Sequence, residues 1–248
     1  MLVSLTIENF GSIADAQTLD LRIPETTPDL DCFFSTKVPE RIRLPRVVGV
    51  FGPNASGKTT VLRAVAAASA FVVHSFDLAP DQSIPFFEPF FGPPFEDRPT
   101  RIVLEFGAAW IDQVPSRYRY EIAAGSWDRH DRRDVFKETL VYYPSGHPRR
   151  LFERGMDRVV VGRDFGISEK DPRLAAVPPN ASVIATLAKL RHEPSFRIWQ
   201  DVRDSVLTNF RGLPRMVADH QQQLAWFNQH PAALEALNRE LSRLDVGL

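Results

Sequence analysis

Residues 52 to 60 read Gly52-Pro53-Asn54-Ala55-Ser56-Gly57-Lys58-Thr59-Thr60, which contains the complete pattern G-x-x-x-x-G-K-[ST] of a phosphate-binding loop. Each fixed position has a chemical reason. Gly52 and Gly57 let the backbone turn sharply and approach an anion with no Cβ in the way. The N–H groups from about Ala55 to Thr60 then point at the phosphates, with the dipole of a following helix behind them. Lys58 reaches the β- and γ-phosphates and is the candidate catalytic group, while the Thr59 hydroxyl takes one place on Mg²⁺. The expected cofactors are ATP and Mg²⁺, held by Gly52, Pro53, Asn54, Ala55, Ser56, Gly57, Lys58, Thr59 and Thr60. At ordinary residue usage these four fixed positions arise by chance in about one such chain in a hundred. A glycine-rich strand-to-helix turn is the plainer alternative, but it has no need of Lys-Thr at its tip.

A strand must deliver this loop and a helix must carry it away. Val47-Val48-Gly49-Val50-Phe51 is an unbroken apolar run and predicts a central strand of an α/β sheet, buried on both faces. From Thr59 to about Ser75, Leu62, Val65, Ser69, Val72 and Val73 recur at helical spacing, with Arg63 the only charge before His74, which predicts a largely buried helix.

The 248 residues are 44% hydrophobic, enough for a sizeable core in one large domain or two lobes. Thirty basic residues against 31 acidic give a net charge of −1, which leaves no global nucleic-acid footprint and makes DNA binding an open matter. Cys32 is the single cysteine, so neither a disulfide framework nor a cysteine-based zinc site can form within the chain. The amino terminus lacks a basic leader and no apolar run approaches spanning length, so the chain reads as cytoplasmic, with no membrane partner.

Leu2 to Ile7 and Gln17 to Ile23 predict two strands joined by the turn Asn9-Phe10-Gly11-Ser12. Between Asp77 and Pro99, proline alternates with phenylalanine. Proline excludes regular helix and phenylalanine needs burial, which predicts an irregular strap folded onto the core, with a peptide- or base-stacking surface as the other reading. Thr100–Phe106, Tyr118–Ala124, Val135–Tyr142 and a further pair near Arg150–Phe152 and Arg158–Val161 predict an antiparallel meander inserted after the loop helix. The charges from Asp128 to Asp134 balance in sign and suit a solvated hairpin loop, or else a basic loop touching phosphate. From Ala181 the pattern turns helical: Val183, Leu187 and Leu190; then Phe196, Trp199, Val202, Val206 and Phe210; then Met216 to Phe227; then Leu234, Leu237, Leu241 and Leu244 after Pro231. This divides the chain into a lobe over 1–180 and a helical subdomain over 181–248.

Hydrolysis at such a loop normally needs a strand ending in Asp, often followed by Glu. Neither Ile102-Val103-Leu104-Glu105 nor Val159-Val160-Val161-Gly162-Arg163-Asp164 is more than a loose likeness, and Pro144-Ser145-Gly146-His147 reads as a turn rather than a signature motif. The histidines lack metal-ligand spacing.

The opening Leu5-Thr6-Ile7-Glu8-Asn9-Phe10-Gly11-Ser12-Ile13, with the loop some forty residues later, resembles the amino-terminal half of ABC-type ATPase heads of the SMC, RecF and OLD group. More narrowly it is similar to the AAA-family ATPases of bacterial anti-phage and abortive-infection operons. Their post-loop elements have counterparts, in order, in Pro99-Thr100-Arg101-Ile102, Tyr118-Arg119-Tyr120-Glu121, Val135-Phe136-Lys137-Glu138-Thr139-Leu140 and Leu151-Phe152-Glu153-Arg154. The resemblance implies a P-loop NTPase fold of the α/β class, an ABC-ATPase head-like lobe with an inserted antiparallel β meander and a carboxyl-terminal helical region. It places Phe10 and Ser12 close to the nucleotide and Asn54 over the phosphates, with Gly11 standing where Lys or Arg is frequent. The acidic strand and signature motif belong to a carboxyl-terminal half, and the chain stops at Asp245-Val246-Gly247-Leu248, where that half would begin. A fragment or one piece of a split protein is therefore expected, with the Pro178-Pro179-Asn180 turn the candidate for a lobe-linking loop. The implied function is ATP binding that drives a homodimer of heads together and acts on an effector such as a nuclease or another defence protein. The alternatives are a small P-loop kinase acting on a metabolite, although Arg191, Arg197, Arg203 and Arg211 form no compact lid motif, and an interaction module with a vestigial loop.

Overall fold

The computed structural model describes residues 1–36, 42–54, 56–92, 95, 97–126, 133–206, 227 and 229–243, with only the backbone at 237 and 240–243. Strands β1 (Leu2–Glu8), β2 (Gln17–Asp20), β5 (Thr100–Ala108), β6 (Ser116–Ser126), β7 (Arg133–Tyr143), β8 (Arg149–Arg154) and β9 (Val159–Val161) form one sheet in the order β2-β1-β5-β6-β7-β8-β9. Every neighbouring pair in it is antiparallel. The predicted meander is therefore present, but it is no separate insertion: β5 pairs directly with β1 and extends the amino-terminal hairpin into a single sheet. A two-stranded sheet of β3 (Phe33–Thr36) and β4 (Ile42–Pro45), not anticipated from the sequence, lies beside it.

Alternation decides which residues face the core. Leu5 and Ile7 on β1, Ile102 and Leu104 on β5, Tyr118, Tyr120 and Ile122 on β6, and Leu140 and Tyr142 on β7 are buried in one cluster. Val3 breaks the pattern. A register shift between Leu2 and Ser4 turns Val3 to the opposite face, where it packs with Ile42 and Leu44 of β4.

Helix α1 (Lys58–His74) lies on the core face as predicted, with Val65, Ser69, Val72 and Val73 of the expected stripe turned inward and Leu62 its one exception. Ala64, Ala67, Ala68, Phe71 and Val72 make the contact, whereas Leu62 is 50% exposed. Alanines permit close approach to the sheet, and that space requirement is invisible to a hydrophobicity count. By length and composition Lys58–Asp77 could cross a membrane, contrary to the sequence reading; 61% of it is buried inside the protein, as in a core helix.

Among the described residues the expected strand at Val47–Phe51 does not form. No described strand pairs with it, and Val47 is 85% and Phe51 92% exposed. A strand of that composition needs partners at its edges and cover on both faces, and the described sheet offers neither. The core face of α1 is turned to the antiparallel sheet.

Among its described residues the strap between α1 and β5 has neither regular helix nor strand beyond a short 3-10 turn at Ser75–Asp77. It buries Ile84, Phe86 and Phe87 and is pinned by Asn9, whose Nδ2 donates to the carbonyls of Phe95 and Arg98 and whose Oδ1 accepts from Phe90 N. A short helix α2 (Pro172–Ala175) then leads to α3 (Val183–Lys189) and α4 (Glu193–Ser205), whose Val183, Ile184, Leu187 and Ile198 share the core with the sheet and α1. Helix α5 (Pro231–Arg243) carries Leu234 at its surface. The helix expected from Met216 to Phe227, the extension of α4 to Phe210 and the charged run from Asp128 to Arg132 lie outside the described residues.

Glu138 sits on β7 at an inward position and is fully buried. Its carboxylate accepts from Tyr120 Oη (2.9 Å), Ser182 Oγ (2.7 Å) and Val183 N (2.8 Å), and lies 4.0 Å from Arg154. Arg154 donates to the carbonyls of Pro178 and Ala181. Burial pushes the Glu138 carboxyl up and the Arg154 guanidinium down. Desolvation outweighs mutual attraction here, and hydrogen bonds rather than the ion pair hold the cluster. Glu138→Ala orphans three donors and a buried cation and is expected to cost about 3–5 kcal/mol in urea unfolding, with Glu138→Gln costing less.

On the other face of the sheet, Glu121 meets Arg101 (2.9 Å), Arg119 (2.8 Å) and Lys137 (3.3 Å). Burial would raise its carboxyl, but the hydrogen bonds from Arg101 and Arg119 outweigh this and pull it down from 4.5 to about 2. A depressed acid stabilises the fold above its unfolded value and loses that contribution as pH falls through the folded one. The urea midpoint of the wild type should therefore fall between pH 4.5 and 2, and Glu121→Gln should lower the midpoint at neutral pH while flattening that acid limb.

Candidate functional site

The Gly52–Thr59 loop folds at the amino-terminal end of α1. Gly57 is the N-cap at φ +85°, a left-handed conformation suited to glycine, and a Cβ there would lie 3.4 Å from Ser12 Oγ. At Gly52 a Cβ would come within 2.8 Å of Ser56 Oγ. The first main-chain bond of the helix runs from Val61 N to Gly57 O at 3.0 Å. The amides of Lys58, Thr59 and Thr60 thus fall in the turn that has no intrahelical acceptors. No side chain caps this end and its first turn holds no acidic residue. A helix of 17 residues presents its positive pole there without internal compensation.

Lys58 Nζ donates to the carbonyls of Gly52 (2.9 Å) and Pro53 (2.6 Å), drawing the ammonium across the loop. Gly52, Pro53, Asn54, Ser56 and Thr59 are exposed, Lys58 is half-buried, and Ala55 lies outside the described residues. The adjacent threonines differ. Thr60 is buried and its hydroxyl is 2.7 Å from Ser12 Oγ, whereas the exposed Thr59 is the one able to offer its hydroxyl to a ligand. The arrangement can receive an anion: free backbone donors, one ammonium and one exposed hydroxyl converge on the same helix end.

The turn after β1 supports the loop from the side. Gly11 has φ +56°, and a Cβ on it would stand 3.1 Å from Thr60 Cγ2. A Lys or Arg at this position would have to displace Thr60. Ser12 lies against Thr60 and Gly57, and Phe10 is 1% exposed and packs in the core.

The weak acidic candidates lie elsewhere. Glu105 is bonded to Arg22 at 2.6 Å and pairs with Arg117 at 3.6 Å. Asp164 follows β9 and accepts from Tyr142 Oη (2.6 Å) and Arg149 (3.1 Å). Burial and Asp164 together push the Tyr142 hydroxyl up to about 12. Five strand spacings, roughly 24 Å of sheet, separate β9 from β1 beside the loop. Pro144-Ser145-Gly146-His147 is the turn between β7 and β8, as predicted. The Pro178-Pro179-Asn180 turn is no neighbour of the loop either. Asn180 Nδ2 donates to the carbonyls of Ala79 and Gln82, and Ser182 N to Ser75 Oγ, so this segment is bound at the opposite end of α1, about 25 Å away. Among the described residues no group of three His, Cys, Asp or Glu is arranged to hold a metal ion.

Sequence reasoning missed that Tyr120, Glu138 and Arg154, quoted above from three separate motifs, converge on one buried cluster. The signal was present: a glutamate two residues before Leu140 and four before Tyr142 occupies an inward position of a strand. The chain matches no protein-family model and is similar to no curated protein.

Replacing Gly57 by alanine forces a β-carbon into a left-handed cap. The expected cost is about 1–2 kcal/mol of thermal stability, with a larger relative loss of any anion affinity because the cap sets the direction of the donors; calorimetry and phosphate titration read the two separately.

Proposed function

We propose that this chain is the ATP-binding lobe of an ABC-type P-loop ATPase. The observation that carries this reading is the uncapped end of α1, where a glycine-bent loop, the Lys58 ammonium and the exposed Thr59 hydroxyl meet with no acidic side chain in the first turn. Helix starts in soluble proteins are ordinarily capped by Ser, Thr, Asp or Asn. Leaving one bare beside a lysine suits a ligand that brings its own negative charge. In this reading Thr59 would be the chain's ligand to Mg²⁺, and the ion would supply charge neutralisation at the phosphates.

In this reading the described residues of the lobe lack a second acidic element at the loop. Glu105 and Asp164, the acids with any sequence claim to the second acidic position, are committed to arginine or tyrosine partners away from the loop. Among the described residues no strand pairs with the apolar run that leads into the loop. Both features support a site completed by a second protein element, in keeping with two heads that close on ATP and pass the closure to an effector such as a nuclease in a defence system. That last step rests on the motif resemblance.

Isothermal titration with Mg-ATP tests the reading. Lys58→Ala is expected to weaken binding about ten- to a hundredfold, the range of a charged hydrogen bond lost, and Thr59→Ala to reduce the dependence on Mg²⁺. Turnover by the chain alone should be near background. Unchanged ATP affinity in Lys58→Ala would sink the assignment, brisk hydrolysis would sink the incomplete-site argument, and phosphoryl transfer to an added acceptor would favour a kinase.

A further inference from the structure

The strap holds one phenylalanine out of the core. Phe86 and Phe87 are buried and Phe90 packs edge-on against Phe95 at 5.1 Å, yet Phe91 is 90% exposed. The strap just before it is held against the β1–β2 turn through Glu88 and Phe90. Glu88 O accepts from Gly11 N (2.8 Å), Phe90 N donates to Asn9 Oδ1 (3.0 Å), and the Glu88 carboxylate pairs with Arg63 on α1 (2.7 Å). Gly11 is the residue against Thr60, and Ser12 the one against Gly57. The strap therefore forms an outer layer over the turn that buttresses the loop, and it presents a bare aromatic ring there. Leaving such a ring in water forgoes the stabilisation that burial would give. The neighbouring anchors at Glu88 and Phe90 attach this part of the strap to the turn that touches Gly57 and Thr60.

We infer that Phe91 is a stacking platform for the base of a nucleoside triphosphate whose phosphates occupy the Gly52–Thr59 loop. This rests on the nucleotide reading above and adds to it the group that meets the base. Aromatic rings accept any base through its π-face, so the platform contributes affinity with little choice among bases. Stacking requires no polar partner, which fits a ring flanked by Gly92, where a Cβ would meet nothing within 4 Å. A protein covering the ring is the outcome from which the experiment separates the platform.

Wild type, Phe91→Ala, Phe91→Trp and Lys58→Ala are titrated with Mg-ATP, Mg-GTP and inorganic tripolyphosphate. Because the Phe91 ring is at the surface, its variants should melt as the wild type does. Phe91→Ala is expected to weaken ATP and GTP alike by about fivefold or more and to leave tripolyphosphate unchanged, with Phe91→Trp restoring both nucleotides. Lys58→Ala should weaken all three ligands. If Phe91→Ala binds ATP as the wild type does while Lys58→Ala does not, the platform is overturned, the nucleotide reading stands, and the ring belongs to a protein contact. Equal loss of tripolyphosphate in Phe91→Ala overturns it as well, since the ring would then be acting on the loop. No binding of any ligand by the wild type overturns both.

Discussion

The buried carboxylate of Glu138 is the constraint on which the rest of the architecture hangs. An acid with no access to water must find donors, and the three it finds lie on Tyr120 of β6 and on Ser182 and Val183 at the start of α3. Arg154 of β8 closes the cluster and in turn holds the carbonyls of Pro178 and Ala181. One side chain thereby fixes the position of three adjacent strands relative to α3. Apolar packing alone could slide by a residue with little penalty; a carboxylate that needs these donors cannot. Ser182 N also donates to Ser75 Oγ, immediately after α1.

Helix α1 therefore has both ends specified by polar contacts of opposite kinds. Its carboxyl end is tied into the buried network through Ser75, with Trp199 Nε1 on the carbonyl of Val73 and Asn180 on the carbonyls of Ala79 and Gln82 just beyond. Its amino end has no side-chain cap and is held by the Ser12–Thr60 contact and by Lys58, which donates back to the carbonyls of Gly52 and Pro53. Between them an alanine-rich face allows the helix to lie close to the sheet, so a displacement at one end is carried to the other as a rigid shift. This is a physical route by which occupancy of the loop could be felt at the far side of the meander, some 25 Å along the helix axis.

The sequence made the loop, the helix that follows it, the meander and the irregular strap legible, because each is written in local pattern: spaced glycines, helical periodicity, alternation, and proline among aromatics. What it hid depends on distant partners. Val47–Phe51 reads as a central strand by composition, but a strand exists only with neighbours, and no local property of those five residues supplies them. The short β3–β4 ribbon escaped notice because its apolar face is completed by Val3, which faces that way only through a register shift. Leu62 was placed in the core by periodicity, while the contact is made by alanines that hydrophobicity underrates. At the site, Lys58 and Thr59 were identifiable from spacing. Which threonine is free for a ligand and which is bonded to Ser12 could not be told from two identical residues in a row. The interior role of Phe10 was likewise obscured, since a turn phenylalanine reads equally well as core or as ligand contact.

The bare run from Val47 to Phe51 has a consequence for how the chain survives in a crowded cell. Five apolar residues with β-branched side chains, uncharged and without proline, are the kind of segment that recruits like segments from other molecules into cross-β contacts. Arg46 before it and the Gly52-Pro53 pair after it act as gatekeepers that shorten the sticky window without closing it. Chaperones recognise such surfaces, and a chain that displays one is held or degraded until something covers it. Anything that covers the run removes this liability along with the exposed surface.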